Sequence, residues 1–337
     1  MLMTIQEIEA ASQQSQPLDF SRHQLNAPEL PLRRTFFPYG FPAEVHTNEP
    51  TILDLFDASF GVFEPRFDTQ TISIDVHLVD SESTECPPSP TYRLSNPYLF
   101  VVADSSNYSV IDLSSLRSHL VVSTAALRYP TYLRYFFLEG GAACHITTRF
   151  TTPVHAGCVA FNGRGVLLCG DSGAGKSSLS YACARCGWDY IADDASFLLN
   201  RNCMRIVIGD CHKVRFRPSA AELFPEIAGH EITPRAEGKP SIELPTAPMA
   251  HINRRESVTV DFLVFLNRRH DGPSTLVPYS KDVARHYMRQ VPFGSPASIA
   301  VQHVSIECLL TAPIFELRYS DLDWAIERLE QLVREGA

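Results

Sequence analysis

No stretch of this 337-residue chain is apolar for long enough to cross a bilayer, which takes about 18 residues or more. A spanning helix is excluded and no membrane partner is expected. The first residues, MLMTIQEIEAASQQSQ, lack the basic start and apolar core of a secretory signal, so a cytoplasmic location is the expectation. An excess of positive charge is missing too. The 29 Lys and Arg face 38 Asp and Glu, for a net charge of −9, which disfavours wholesale binding to nucleic acid. There are no internal repeats and no low-complexity tract. Cys183 and Cys186 form a C-x-x-C pair, but no second C-x-x-C or spaced histidine pair accompanies it, so zinc or redox work is not expected of it.

What is present is ordinary for a soluble globular protein: 45% hydrophobic and 20% charged residues, in a length that suits one large or two modest domains. Nine cysteines, an odd number, are scattered along the chain, and Cys158, Cys169 and Cys308 sit in apolar runs. That pattern reads as reduced thiols used as small hydrophobes.

One segment carries a specific chemistry. Gly170, Asp171, Ser172, Gly173, Ala174, Gly175, Lys176 and Ser177 follow the spacing G-x-x-x-x-G-K-[ST], that of a phosphate-binding P-loop. Glycines allow the tight turn that aims successive N–H groups at phosphate oxygens. The helix that follows adds its unpaired N–H groups and the positive end of its dipole, with Ser178 in its first turn. Lys176 supplies a point charge for β- and γ-phosphates, and Ser177 a hydroxyl for magnesium. Context agrees. The apolar run GVLLC (Gly165–Cys169) precedes the loop as a buried strand should, and SSLSYACARCG follows as a helix that Gly187 can stop.

Along the rest of the chain, residues 1–50 read as irregular apart from a short helix near Thr4–Ser12, with the proline-bearing LNAPELPLRRTFFPYGFPAE packing over a surface. Residues 51–150 read as strands joined by turns: ISIDVHLV, PYLFVVAD, YSVIDL and HLVVST, then a helical TAALRYPTYLRYFFLEGGAAC bent or divided at Pro130. VHAGCVAFNGRGVLLCG reads as two strands across an Asn162-Gly163 hairpin turn. DYIADDASFLL, CMRIVIGD, KVRFRP and VDFLVFLNRR read as further strands, with a turn at Asn200–Asn202, a helix at Ser219–Phe224 and a mobile loop in GHEITPRAEGKP. SDLDWAIERLEQLVREG is an amphipathic helix with Leu322, Ile326, Leu329 and Val333 on one face and a capping box from Ser320 to Asp323. The fold class is therefore α/β: a mixed sheet built around the P-loop strand with flanking helices in residues 146–337, joined to an N-terminal β-rich region in residues 1–145.

Two features surround the loop. Asp193 and Asp194 end an apolar run one helix and one strand beyond Lys176. Such a pair can divide labour, one acid holding magnesium and the other taking a proton from an attacking hydroxyl; its alternative is a solvated polar turn. His155 begins the hairpin that feeds the loop and can return beside the phosphates, where a lone histidine is otherwise structural.

The segment PVHAGCVAFNGRGVLLCGDSGAGKSSLSYACARCGWDYIADDASFLL, from His155 to about Leu199, resembles the catalytic domain of the HPr kinase/phosphorylase family. A His-Gly start, a G-D-S-G-x-G-K-S loop and a V-A-D-D strand end occur there in this order, and phosphoenolpyruvate carboxykinases have a similar loop on a related fold. The resemblance implies catalytic roles for Lys176, Asp193 and His155. Lys176 would neutralise the phosphates, Asp193 would be general base toward a serine hydroxyl, and His155 would lie near the transferred group. Asp194 and Ser177 would hold Mg²⁺, and residues Gly170 to Ser178 would cradle ATP or another phosphate donor such as GTP, ADP or pyrophosphate. The family's second signature, a glycine-rich run with an acidic residue and Arg-Gly, is absent. VIGDCHKVRFRPSAAELFPE stands there instead and resembles shorter, divergent members, including tailoring kinases of ribosomal-peptide pathways, as do FLVFL and Lys239 in GKPSIEL. The resemblance therefore implies transfer to a serine of a protein or peptide, leaving a homo-oligomer open, and does not extend to HPr itself, to phosphorolysis or to the first 145 residues. A small-molecule kinase and a non-catalytic nucleotide-binding regulator are the rival readings.

Overall fold

The computed structural model describes residues 3–14, 29–201, 203–234, 240–269 and 271–336. Part of the proline-bearing stretch before Glu29, the turn residue Asn202, and residues 235–239 of the loop expected to be mobile, Lys239 among them, lie outside them. The chain divides into two compact units, Met1–Arg149 and Phe150–Ala337.

The first unit opens with α1 (Ile5–Gln13), which Thr4 caps by accepting the Glu7 N–H. Next come β1 (Leu32–Phe36) and β2 (Ala43–Thr47), α2 (Pro50–Phe60), β3 (Ile72–Val79), β4 (Thr91–Ser95), β5 (Tyr98–Asp104), β6 (Asn107–Asp112) and β7 (Arg117–Ser123). α3 (Thr124–Leu127), α4 (Pro130–Leu133), a π-helical turn at Arg134–Leu138 and α5 (Glu139–Arg149) close it. The strands form one mixed sheet in the order β1-β2-β3-β7-β6-β5-β4, with β2–β3 and β3–β7 parallel and the remainder antiparallel. Ile8 of α1 packs on Tyr98, Phe100, Tyr108, Val110 and Val121.

Two expectations are corrected here. The stretch read as irregular supplies β1 and β2, where Phe36, Ala43 and Val45 are buried, because sheet pairing overrides a local proline signal. The region read as strands and turns also holds α2, with Glu49 accepting the Thr51 N–H, Pro50 in its first turn, and Ile52, Leu55, Phe56 and Phe60 buried. That helical spacing and the leading proline were the signal to read.

The second unit begins with β8 (Thr151–Phe161) and β9 (Arg164–Cys169), a hairpin whose turn residues Asn162 and Gly163 both have positive φ, 51° and 78°, as a two-residue hairpin turn requires. α6 (Lys176–Arg185) precedes β10 (Asp189–Ala192), β11 (Ala195–Leu199), β12 (Ile206–Gly209) and β13 (Lys213–Phe216). β14 (Thr233–Pro234), β15 (Pro240–Pro245), β16 (Asn253–Arg254), β17 (Ser257–Arg268) and β18 (Thr275–Pro278) come next. α7 (Lys281–Met288), α8 (Pro296–Leu309), β19 (Ile314–Tyr319) and α9 (Leu322–Glu335) complete the unit.

Nine of these strands form a mixed sheet in the order β16-β10-β8-β11-β12-β17-β19-β18, with β9 pairing β17 and β8. β13, β15 and β14 make a small sheet of their own. β17 runs parallel to both β9 and β19, and its apolar run is covered on both faces. Phe262, Val264 and Leu266 join the core under α6 and α9 with Leu179, Ile326 and Leu329. Leu263 and Phe265 join the core under α7 and α8 with Ala284, Met288, Ile306 and Leu309. The fold of this unit is thus a mixed α/β sheet with helices on both faces.

Here, too, the sequence misled in places. α9 is capped by Asp321, which accepts the Trp324 N–H, and not by Ser320. The helix expected at Ser219–Phe224 is a 3-10 turn at Pro218–Glu222. β18, α7, α8 and β19 have no counterpart among the elements read from the sequence, although Ser280 and Ser295-Pro296 are ordinary helix starts. The thiols are not all reduced either. Cys203 and Cys308 form a disulfide, because the β11–β12 turn folds against α8, where Ser305 donates to Asn200 Oδ1 at 2.8 Å. Cys158, Cys169 and Cys183 are buried free thiols, and burial pushes the Cys169 thiol up to about 12. Among the described residues no helix is long and apolar enough to cross a membrane.

Candidate functional site

The glycine-rich loop joins the C-terminal end of β9 to the N-terminus of α6. Gly173 and Gly175 have φ of 95° and 99°, a region that side chains resist. At Gly175 a Cβ would also meet the Tyr319 hydroxyl at 2.7 Å, so glycine is required there on two counts. Asp171, Ser172 and Gly173 are exposed, Ala174, Gly175, Ser177 and Ser178 half-buried, and Gly170 buried.

Lys176 turns back over this loop, and its side chain is only 3% exposed. A buried ammonium needs a full set of partners. Its Nζ donates to the carbonyls of Gly170 at 2.7 Å and Asp171 at 3.2 Å, and lies 3.1 Å from Asp194 Oδ1 and 2.9 Å from His155 Nε2. An ammonium has no lone pair to offer, so His155 Nε2 accepts and its proton sits on Nδ1, the atom facing Asp194 at 3.6 Å. Three residues far apart in sequence therefore meet: Lys176 at the head of α6, His155 on β8, and Asp194 in the turn between β10 and β11.

The two acids of that turn point to different places. Asp194 lines the cleft beside the loop. Asp193 Oδ2 accepts the backbone N–H of Arg215 at 2.9 Å, which ties the turn to β13. The close approach of β8 to this turn depends on Gly157, where a Cβ would meet Asp193 O at 2.9 Å and Ser180 Oγ at 2.4 Å.

The cleft, about 270 Å³, runs along Ser172, Gly173 and Gly175 to Ser178 and is closed by Asp194, Arg215, Phe216, Arg217 and Arg268, among others. Ser177 and Asp194 thus bring two hard oxygen donors to one space. This suits magnesium, which takes one or two protein oxygens and completes its shell with phosphate and water. Among the described residues no three His, Cys, Asp or Glu side chains gather as a metal site, so nothing there competes as a protein-only metal centre.

Tyr287, on α7, was missed by the sequence reading because its helix was not assigned. Its hydroxyl donates to Gly170 O at 2.6 Å, lies 3.1 Å from His155 O, and accepts the Gly170 N–H at 3.2 Å. Burial pushes this phenol up, so it remains a donor at neutral pH. It ties the first loop glycine to the strand that carries His155.

No family model matches the chain, and no curated protein matches it. Among solved structures, the HPr(Ser) kinase/phosphatase from Coxiella burnetii aligns over 55% of this chain and 99% of its own, at 14% identity and a TM-score of 0.29. A likeness at that score is too low to support an argument about fold or chemistry, and the functional reading rests on the site itself.

Proposed function

We propose that the chain is a magnesium- and ATP-dependent phosphotransferase that moves a phosphoryl group to a serine hydroxyl on a protein or peptide. The convergence of Lys176, His155 and Asp194 at the mouth of a glycine-rich strand–loop–helix carries this reading. Phosphoryl transfer needs little covalent help, so positioning and charge stabilisation are most of what a protein must supply, and these residues supply both.

In this account the loop N–H groups from Ser172 to Ser178 take the phosphate oxygens. Lys176 exchanges its bonds to the Gly170 and Asp171 carbonyls for β- and γ-phosphate oxygens. Ser177 and Asp194 hold magnesium, which offsets charge on the phosphates when bound. His155, already beside Lys176 Nζ, faces the transferred group. Asp193 accepts the proton of the acceptor hydroxyl. The serine oxygen forms the new bond to phosphorus, the bond from the γ-phosphorus to the bridging oxygen breaks, and the nucleoside diphosphate leaves.

The experiment is direct. With γ-labelled ATP, magnesium and a panel of serine-containing peptides, the chain is expected to produce acid-stable phosphoserine, and chelating magnesium is expected to stop it. Label transfer that is absent, or unaffected by chelation, contradicts the proposal.

Tyr287 gives a second expected result. Tyr287→Phe keeps the ring on Phe265, 5.4 Å between centroids, and removes only the hydroxyl. Mg-ATP affinity is expected to fall by about three- to tenfold, the scale of one or two neutral hydrogen bonds, with little change in melting temperature. Unchanged affinity would make Tyr287 a packing residue only.

A further inference from the structure

The cleft beside the glycine-rich loop holds more positive charge than the loop motif accounts for. Lys176, Arg215, Arg217 and Arg268 line it, against Asp194 and Glu222. Arg215 is committed elsewhere, with Nε 2.7 Å from Glu243 Oε2. Among the described residues neither Arg217 nor Arg268 has an ion-pair partner. In a chain of net charge −9, two guanidinium groups in one cleft with no ion-pair partner among the described residues are a site for a multiply charged anion.

Their placement is specific. Arg217 follows β13 and precedes Pro218, which keeps it extended at φ −74° and ψ 151°. Its Nη2 donates to Ser172 Oγ at 2.8 Å, and its Nη1 lies 3.8 Å from where a Cβ on Gly173 would be. It therefore reaches over the exposed tip of the loop. A guanidinium has five N–H donors in a rigid fork, so it can keep Ser172 and still bind a phosphate. Arg268 enters from the end of β17, the strand paired with β9. Past Arg217 the same segment forms the 3-10 turn Pro218–Glu222, and on either side of Arg217 the cleft is lined by Phe216, Ala220 and Leu223. Leu223 is 38% exposed, an apolar surface beside a cationic one.

We infer that the segment Arg215–Leu223 is the donor-recognition element. Arg217, with Arg268, grips the phosphates of the donor, and Leu223 gives its base an apolar platform. The donor class is then a nucleoside polyphosphate and not inorganic pyrophosphate, which has no group to place on Leu223. This inference rests on the phosphotransferase reading of the same site.

Calorimetric titration with two probes, Mg-ATP and magnesium pyrophosphate, tests it. Arg217→Gln is expected to weaken both by about tenfold, the scale of one charge-assisted hydrogen bond, and Arg268→Gln likewise. Leu223→Ser is expected to weaken Mg-ATP by about three- to tenfold through lost apolar contact and to leave pyrophosphate unchanged. All three positions are exposed, and a melting curve confirms that each variant is folded. Arg217→Gln binding both probes as the parent does would overturn the clamp. Leu223→Ser affecting both probes equally, or neither, would overturn the base platform. Lys176→Ala retaining parental Mg-ATP affinity would instead remove the phosphate-loop reading beneath the inference, whatever the other variants show.

Discussion

Lys176→Ala is expected to lose about 10²–10³ of the phosphoryl-transfer rate, the usual cost of removing a preorganised electrostatic group. The ammonium is not a packing group. Its resting contacts are two loop carbonyls, Asp194 and His155, all polar atoms that a bound phosphate and magnesium would rearrange. The side chain is buried, so a second variant guards against a folding artefact: Lys176→Met keeps the stem and removes the charge. Both should melt near the parent and both should transfer poorly. If either turns over at the parental rate on an acceptor the parent phosphorylates, the loop plays no part in the chemistry.

The acidic pair should separate into two phenotypes. A metal ligand is needed to hold the magnesium nucleotide, whereas a general base is needed only when a hydroxyl attacks. Asp194, in the loop cleft with Ser177, is expected to show the first. Asp194→Asn weakens Mg-ATP binding and transfer together. Asp193→Asn is expected to bind Mg-ATP nearly as well as the parent and to transfer poorly, by about 10²-fold or more, within the range for general acid–base groups. Asparagine keeps the shape and one acceptor oxygen, so the bond from the Arg215 N–H survives in either case. Calorimetry beside single-turnover transfer separates the two. Swapped phenotypes would exchange the two roles, and normal behaviour in both variants would reduce the pair to a solvated turn.

The glycine-rich loop was legible in the sequence because its signal is local. The glycines, Lys176 and Ser177 sit in one loop, and the Asn162-Gly163 turn fixes the hairpin that aims β9 at it. The meeting of Lys176 with His155 and Asp194 was expected from element order and from the family resemblance, and depends on the pairing of β8 with β9, β10 and β11. Tyr287 and Arg217 were not visible as site residues. Each reaches the loop from an element distant in sequence, and no spacing rule links α7 or β13 to Gly170 or Ser172. The Cys203–Cys308 pair escaped for the same reason, as 105 residues separate its members. β1 and β2 were obscured by prolines, whose local preference for loops is weaker than the burial of Phe36 and Val45.

The measurement that bears most directly on the central claim is a crystal structure with magnesium and a non-hydrolysable ATP analogue. The account predicts the phosphates on the N–H groups of Ser172 to Ser178, with Lys176 Nζ moved from the Gly170 carbonyl onto the β- and γ-phosphates. It predicts magnesium against Ser177 and Asp194, and the His155 ring no farther than one bridging water from the γ-phosphate. A saturating analogue bound away from the loop, with Lys176 still on the Gly170 and Asp171 carbonyls, would contradict it.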